Sequence, residues 1–362
     1  MAAWIDGTDA LLEFFDRPSA TLGLDTEFMR TDTFAPKLAL VQIGLGDAIA
    51  LIDPLAEIDF SAMAARLGDP QTLSIMHSAS EDIDALAPVL PQGIGHLFDT
   101  QIGAAFAGLG AGVGYQKLVL ALCATDLPKG ETRSDWLRRP LSAQQLEYAA
   151  QDVVHLPRLH AELSARLRTR GYAGWHAEDC ARMLERARRR EPDLQPQTGF
   201  RSAAEWSRER QALLRRVLIW RDACARRIDR PRPWLLDDAH ALDLAARPPL
   251  DSNDLFERGK GLRALRSAER AELLDVLHAP LSEEDLIFAP IPPAATTQER
   301  RAITTLKEIV VARAVELDLP EGLLCARRHL ETLWLTRQWP AALEGWRREV
   351  LHDRLMARLA DL

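Results

Sequence analysis

The stretch Ala20-Thr21-Leu22-Gly23-Leu24-Asp25-Thr26-Glu27 joins a short apolar run to two acidic residues. The apolar run at 20–25 predicts a buried strand, and side chains two residues apart in a strand point to the same face. We therefore expect Asp25 and Glu27 to project together from the end of this strand. Adjacent carboxylates repel each other, and a divalent cation that prefers oxygen ligands relieves that repulsion. Taken alone, the triplet is also typical of a solvated turn.

Strand and helix patterns alternate around this stretch as far as about residue 170, which predicts an α/β domain. Further strands are predicted at 37–44, 48–53 and 73–77, with a glycine-rich turn between the first two. Helices are predicted at about 8–16, 80–90, 99–107, 115–122 and 142–169. The last helix opens with the capping-box pair Ser142 and Gln145, and Pro157 is expected to kink it.

Three more side chains are candidates for the same chemistry. Asp82 lies in the first turn of the predicted helix at 80–90, where it can face the strand end that carries Asp25 and Glu27. An acid in that position also stabilises the helix dipole without any other role. Tyr148 and Asp152 are four residues apart in the helix at 142–169, so the phenol and the carboxylate share one face. This pair is equally typical of a half-buried tyrosine above a solvated aspartate.

The strand patterns stop near residue 170. Residues 191–200 are polar and contain two prolines and one glycine, which predicts a linker. Residues 203–286 have an all-helical pattern, residues 289–293 interrupt it with three prolines, and a second helical block fills 298–362. The second half of the chain is therefore expected to be all-α.

Charge is distributed unevenly along the chain, whose net charge is −8. Residues 1–175 hold 13 basic and 22 acidic side chains, whereas residues 176–362 hold 32 and 31. Within the second half, residues 182–232 contain 15 arginines and 7 acids. A local basic stripe of this kind can attract a polyanion despite the overall negative charge. A solvated helical linker would have the same composition.

Composition excludes several classes of protein. With 362 residues, of which 47% are hydrophobic and 27% charged, the chain is expected to form two or three globular domains. It contains no apolar run of the ~18 residues that a membrane span needs, and its start lacks the basic region of a signal peptide. Cys123, Cys180, Cys224 and Cys325 lack zinc-ligand spacing. We expect a cytoplasmic protein with no membrane contact; the oligomeric state is not predicted.

In their order along the chain, Asp25, Glu27, Asp82, Tyr148 and Asp152 resemble the DEDDy branch of the 3′→5′ exonuclease superfamily. Five stretches are similar to its ribonuclease D members, namely residues 25–30, 36–43, 98–101, 114–119 and 133–141. The resemblance covers about residues 1–170. It implies an RNase H-like exonuclease domain with a mixed sheet flanked by helices.

The resemblance also implies roles for the five residues. Asp25, Glu27, Asp82 and Asp152 match the family's acids that bind two divalent metal ions, Mg²⁺ or Mn²⁺, and Tyr148 matches the residue that orients the attacking water. Two cations about 3.5–4 Å apart can stabilise the attacking and leaving oxygens of a phosphodiester. Tyrosine, with a reference pKa near 10, is a poor base, so positioning is its expected role. The implied reaction is hydrolysis of RNA 3′ ends to nucleoside 5′-monophosphates, with tRNA precursors as the substrate class.

Residues 207–286 resemble a second family, the HRDC domain. The similarity lies in Trp220-Arg221-Asp222, residues 230–238, Leu244-Ala245 and Pro248-Pro249. It implies an auxiliary domain that binds nucleic acid. The predicted organisation is an exonuclease domain at 1–172, an Arg-rich helical linker at 173–202, an HRDC domain at 203–288 and a second helical, HRDC-like domain at 295–362.

Two other functions remain open from the sequence. One is a DNA 3′→5′ exonuclease, and the other is a non-catalytic RNA-binding protein that uses the HRDC region. Asp99 and Asp135 are further candidates for lining the site. Lys117, Lys129 and Arg133 are candidate phosphate contacts, although ordinary surface charge explains them as well.

Overall fold

The computed structural model of the chain describes residues 2–128, 130, 134–189 and 191–362. The chain forms two compact units. Unit 1 comprises Met1–Met29, Lys37–Arg189 and Thr296–Leu362. Unit 2 comprises Arg30–Pro36 and Arg190–Ala295.

Unit 1 is built on a six-stranded mixed sheet flanked by helices, which confirms the predicted fold class. The strands are β1 (Ala3–Ile5), β2 (Thr21–Met29), β3 (Lys37–Leu45), β4 (Ala48–Ile52), β5 (Leu73–Met76) and β6 (His96–Asp99). Their order is β1-β4-β3-β2-β5-β6, in which β3 is antiparallel to β2 and β4 while the other neighbours are parallel. β2 extends four residues beyond the predicted end, so its acids lie inside the strand.

Eight helices of unit 1 precede unit 2's main segment. They are α1 (Thr8–Phe15), α2 (Ser61–Gly68), α3 (Ser80–Leu86), α4 (Thr100–Phe106), α5 (Tyr115–Cys123), α6 (Ala143–Val154), α7 (Leu156–Arg170) and α8 (Ala173–Arg189). The helix predicted at 142–169 is thus two helices. Pro157 lies in the first turn of α7, where a backbone N–H has no helical partner, so it begins a helix instead of kinking one.

Helix α8 occupies most of the segment predicted as a linker at 173–202, and it is part of the packed core of unit 1. Its Cys180 and Leu184 are buried in the same apolar cluster as Ile83 of α3 and Leu97 of β6. The four arginines of α8 all lie in its second half, and its buried residues form a separate face that packs against unit 1. The segment predicted as an Arg-rich helical linker is thus helical over Ala173–Arg189, and this helix packs in the core of unit 1.

Unit 2 is a small helical bundle. Its helices are α9 (Arg208–Arg227), α10 (Arg232–Leu235), α11 (Asp238–Ala246), α12 (Ser252–Arg258) and α13 (Ser267–His278). Leu214, Leu244, Leu255 and Leu273 are fully or almost fully buried in its centre. The loop Arg30–Pro36 also belongs to this unit, because the Phe34 ring lies beneath the guanidinium groups of two of its arginines.

The C-terminal helices α14 (Thr297–Leu317), α15 (Glu321–Leu324), α16 (Arg327–Thr336) and α17 (Trp346–Ala360) return to unit 1. Leu306 and Leu351 share an apolar cluster with Leu118 of α5 and Leu163 of α7. The segment 295–362, predicted as a separate helical domain, is therefore not a compact unit of its own. The hydrophobic periodicity of a helix shows that it has an apolar face, but not which element of the fold that face packs against.

The sequence also led to expectations about the cysteines and about membrane-spanning segments. All four cysteines are buried and free. Over the described residues, no helix combines the length and the apolarity needed to cross a bilayer.

Candidate active site

The site lies beside β2, where the neighbouring strand β5 stops short. β5 pairs only with Thr21–Gly23, so residues 24–29 have β3 as their one hydrogen-bonded neighbour in the described sheet. Helix α3 begins four residues after β5 ends and packs against β2. Acids from other elements can therefore approach Asp25 and Glu27 along this open edge.

Asp82 reaches that edge from the first turn of α3, as predicted, and is 8% exposed. Its Oδ1 accepts a 2.5 Å hydrogen bond from the Thr26 hydroxyl. Burial raises the pKa of Asp82 to about 6, the bond from Thr26 opposes the rise, and the nearby charges of Asp99 and Glu81 add to it. Thr26 was not singled out from the sequence, because it points to the face of β2 opposite Asp25 and Glu27.

Helix α6 supplies Tyr148 and Asp152. The predicted capping box at its start is present, with Gln145 N 3.1 Å from Ser142 Oγ and Ser142 N 3.0 Å from Gln145 Oε1. As the four-residue spacing predicts, the two side chains meet, and the Tyr148 hydroxyl is hydrogen-bonded to the Asp152 carboxylate. The rigid start of α6 thus fixes the direction in which both side chains project.

Two glycines bring α6 close to the sheet. A Cβ on Gly23 would lie 3.2 Å from the carbonyl oxygen of Val153, and one on Gly44 would lie 3.5 Å from the same atom. The first distance is shorter than ordinary van der Waals contact, so Gly23 permits an approach that alanine would obstruct. The close approach of α6 places Asp152 near the acids of β2.

The four carboxylates act on each other electrostatically. The pKa of Asp25 is raised well above its usual range by burial and then by the charges of Asp82, Asp152 and Glu27. Burial, with the charges of Asp152 and Asp82, raises the pKa of Glu27 to about 8. Burial also raises the pKa of Asp152 to about 7, against the hydrogen bond from Tyr148. The structure therefore brings all four predicted acids and Tyr148 into one cluster.

The chemistry of this cluster fits divalent cations. Its donors are carboxylate oxygens, the ligands that Mg²⁺ and similar ions prefer. Burial, followed by repulsion from neighbouring carboxylates, raises the pKa values of Asp25, Glu27 and Asp152, and a cation would relieve the repulsion. Among the residues that the structure describes, no group of three or more His, Cys, Asp or Glu side chains is arranged so that it could hold a metal ion.

Tyr148 is half-buried, and burial raises its pKa further above neutrality, as do the charges of Asp152, Glu27 and Asp25. The phenol is therefore neutral at physiological pH and can donate a hydrogen bond, but it cannot serve as a base. Beside it lies the ring of Trp136, 6.1 Å away between centroids and almost fully buried. Trp136 is therefore a packing residue beside Tyr148.

The loop that carries Trp136 is held in place by Arg139. The Arg139 guanidinium binds the Asp53 carboxylate with distances of 2.7 Å from Nε and 2.6 Å from Nη2. It also donates to the carbonyl oxygens of Ala39 and Trp136, at 2.7 and 2.8 Å. The stretch at 133–141 thus contributes, in its described part, to holding the surroundings of Tyr148.

Sequence reasoning missed two rings near the acids. The hydroxyl of Tyr115 donates to the carbonyl oxygen of Gln151 at 2.9 Å, and burial with the charges of Asp152 and Asp25 raises its pKa. His77 lies edge-on to Tyr115 with 5.6 Å between ring centroids. Tyr115 is in the similar stretch 114–119, which was the available signal, whereas nothing in the spacing of His77 linked it to the acids.

Gln42 is the third residue missed. It is the cross-strand partner of Asp25 in the β2–β3 ladder, and its side chain is fully buried. Neither amide atom of Gln42 has a hydrogen-bond partner in the described structure. A buried glutamine inside an otherwise apolar strand was a visible signal, since buried polar groups are normally paired.

The remaining candidates have other roles or positions. Asp99 is 1% exposed and caps α4, accepting from the backbone N–H groups of Gln101 and Ile102 at 2.8 and 3.0 Å. Asp135 is exposed and accepts from the backbone of Leu137 at 3.1 Å. Lys117 is exposed on α5. Lys129 and Arg133 lie outside the described residues.

Comparison with known proteins supplies independent information. A family model described as "3'-5' exonuclease" matches residues 2–168. Ribonuclease D of Xanthomonas oryzae pv. oryzae is 45% identical over 99% of this chain and 99% of its own length. Ribonuclease D of Escherichia coli K12 is 31% identical over 94% of this chain and 92% of its own. The crystal structure of Escherichia coli RNase D, described as an exoribonuclease involved in structured RNA processing, superposes with a TM-score of 0.86 and 28% identity, covering 100% of this chain and 99% of that one.

Proposed function

The chain belongs to the ribonuclease D family of 3′→5′ exoribonucleases, and on this basis we propose that Asp25, Glu27, Asp82, Tyr148 and Asp152 are its catalytic residues. The reaction is hydrolysis of the last phosphodiester of an RNA, which releases a nucleoside 5′-monophosphate. The observation that carries the assignment is the proximity of four carboxylates from β2, α3 and α6, in which the charge of Asp82 helps to raise the pKa values of Asp25, Glu27 and Asp152.

We assign the four carboxylates to two divalent metal ions, Mg²⁺ or Mn²⁺. When bound, such ions activate water and stabilise charge on the attacking and leaving oxygens. The carboxylates neutralise the ions and leave the site able to accept a phosphate. Thr26 supports this role by favouring the ionised form of Asp82 through its 2.5 Å hydrogen bond.

Tyr148 orients the attacking water in this assignment. Its hydroxyl stays protonated, because burial and three nearby carboxylates raise its pKa. The hydrogen bond to Asp152 and the adjacent Trp136 ring restrict the position of the phenol. A restricted donor lowers the barrier when its hydrogen bond strengthens in the transition state.

We further propose that the substrates are structured RNAs, with tRNA precursors as the main class. We assign residues 203–288 of unit 2 to an HRDC domain that binds nucleic acid. In support, unit 2 has a cavity of about 350 Å³ whose lining includes two acids and the side chains of Arg230, Trp234, Arg263 and Arg266. The Arg263 guanidinium lies 5.1 Å from the centre of the half-buried Trp234 ring. Arginine and an aromatic ring together suit contact with phosphates and bases.

The test uses a 5′-labelled RNA oligonucleotide, an all-deoxy strand of the same sequence and a 3′-extended tRNA precursor. With Mn²⁺ or Mg²⁺ the RNA should shorten stepwise from its 3′ end, and excess EDTA should stop the reaction. Asp152→Asn should remove activity, whereas Asp84→Asn, which changes an exposed acid of α3, should retain it. Equal rates on the deoxy strand would identify a DNA exonuclease. Retention of RNA on the protein without shortening would identify a non-catalytic binding protein.

A further inference from the structure

Unit 1 contains a second concave site, which none of the five proposed catalytic residues lines. We call it the arginine groove, and its volume is about 680 Å³. One wall is the C-terminal half of α8, and the other is formed by residues 322–329 of α15 and the start of α16. Residues 341–347, before and at the start of α17, complete it. All these segments belong to the same compact unit.

Arginines from both walls give the groove its charge. Arg182, Arg186 and Arg189 occur at positions i, i+4 and i+7 of α8, so they follow one face at intervals of about one 5.4 Å helical turn. Arg328 and Arg347 line it from α16 and α17. Arginine remains charged at any physiological pH, so this charge is permanent.

Three of these arginines are already paired. Arg347 binds the buried Asp179 carboxylate at 2.5 and 2.8 Å, which fixes the base of the groove. Arg189 pairs with Glu185 at 2.5 Å, and Arg182 pairs with an acid one turn before it on α8 at 2.7 Å. These three ion pairs hold the walls of the groove in place, but their charges largely cancel.

Arg186 and Arg328 differ from the other three. Both are exposed, and within the described parts of the chain neither has a carboxylate at ion-pairing distance. On the α16 side, burial and the charges of Arg328 and Arg347 lower the pKa of the neighbouring His329. The groove therefore carries uncompensated positive charge on opposite walls.

From this geometry we infer that the arginine groove holds part of the phosphodiester backbone of the RNA substrate, outside the site formed by the five proposed catalytic residues. The inference rests on the proposed exoribonuclease function. Apart from His329, the described lining residues carry no aromatic ring on which a base could stack. Contacts from arginine to phosphate position a nucleic acid without reading its sequence, which suits an enzyme that acts on many RNA ends. Unpaired arginines at the walls favour an extended polyanion over a small nucleotide enclosed in a pocket.

The experiment compares the wild type with Arg186→Glu/Arg328→Glu and with a control of equal charge change, Arg166→Glu/Arg301→Glu, at exposed positions of α7 and α14. Affinity for a long structured RNA is measured in EDTA at several salt concentrations, and turnover of a trinucleotide is measured with Mn²⁺. The groove variant should bind the long RNA at least about tenfold more weakly. The slope of the logarithm of its affinity against the logarithm of the salt concentration should be smaller in magnitude by about 1.5, because two phosphate contacts are lost. Its trinucleotide turnover should match the wild type.

Other results would overturn the inference. Unchanged affinity and slope, or an equal loss in the control variant, would show that the groove is not a phosphate track. A matching loss on the trinucleotide would mean that the substitutions disturb the active site instead. A nucleoside triphosphate that bound the wild type but not the groove variant, with RNA affinity unchanged, would assign the groove to a small anion. Absence of turnover in the wild type would count against the proposed function, while the affinity comparison would still test the groove.

Discussion

The Thr26 hydroxyl is 2.5 Å from Asp82 Oδ1 and joins the middle of β2 to the first turn of α3. The two residues are 56 positions apart, and the bond is buried. It opposes the effect of burial, which raises the pKa of Asp82 to about 6. The ionised state of Asp82 near neutral pH therefore depends partly on a side chain from the opposite face of the strand.

Thr26→Val keeps the shape of the side chain and removes the donor. The pKa of Asp82 should then rise above about 6, so activity should fall more at pH 6 than at pH 8. A hydrogen bond to a charged group contributes about 1.5–3 kcal/mol, so the loss at pH 6 should be roughly tenfold or more. Profiles of kcat/KM against pH will test this, with Thr26→Ser as the rescuing control. A loss of equal size at both pH values would contradict the role.

Asp25→Asn, Glu27→Gln, Asp82→Asn and Asp152→Asn should each fold and be nearly inactive. Removing one ligand from a two-cation site costs several kcal/mol of transition-state stabilisation, which is roughly a 10³-fold loss of rate or more. Single-turnover assays on labelled RNA with Mn²⁺ will measure it. If Asp82→Asn kept more than about a tenth of the wild-type rate, Asp82 would no longer belong in the site.

Tyr148→Phe removes only the hydroxyl and should lower kcat by roughly 10²-fold, with RNA binding intact. Because Asp152 also loses a hydrogen bond, its pKa should rise above about 7, and metal affinity must be measured first. Single-turnover rates at saturating Mn²⁺ then isolate the effect of the phenol. A rate within about twofold of wild type would leave Tyr148 as a packing residue beside Trp136.

The acid cluster should make metal-free stability depend on pH. The pKa of Glu27 is about 8 in the folded state against 4.5 without the fold's influence, so between these values the folded state binds more protons than the unfolded one. Stability must therefore fall as pH rises from 4.5 to 8. In EDTA the melting temperature should be lower at pH 8 than at pH 5.5, and Mn²⁺ should reduce the difference.

Glu27→Gln is the matched variant for this effect. It should show a smaller difference in EDTA between the two pH values, and at pH 8 it should melt above the wild type by several degrees, as each kcal/mol shifts a domain's melting temperature by about 2–4 °C. A difference between the two pH values that is as large in Glu27→Gln as in the wild type would refute the repulsion. Stability gained together with activity lost is the expected signature of a functional carboxylate.

Trp346→Ala should destabilise the whole of unit 1. Trp346 is 1% exposed, stacks on Trp175 with 4.7 Å between ring centroids, and donates from Nε1 to Asp179 at 3.1 Å. Removing a buried tryptophan costs about 3–5 kcal/mol. Urea unfolding will measure this, with Leu335→Ala, at a 58% exposed position of α16, as the control. Equal midpoints for the two variants would mean that the C-terminal helices do not support this core.

The sequence predicted the fold class, and its resemblance to the exonuclease family indicated the acids of β2, α3 and α6, whose type and spacing alone were equally compatible with solvated positions; their catalytic role stays a prediction. It did not predict β1 or β6, which have three and four residues and are too short to show a period. Thr26, Gln42 and Tyr115 were missed because their contacts with the cluster join distant segments. The packing of α8 and of α14–α17 depends on tertiary partners in the same way. Residue spacing indicates which side chains share one face of a helix or strand, but not which other element packs against that face.

Gly23 and Gly44 lie under the carbonyl oxygen of Val153, at the place where α6 rests on the sheet. A Cβ atom at Gly23 would push α6, which carries Tyr148 and Asp152, away from the sheet. The distance of those two side chains from Asp25 therefore depends on the absence of a side chain at Gly23, where α6 lies against β2. The geometry of this site therefore depends on Gly23, a residue without a functional group, as well as on the acids themselves.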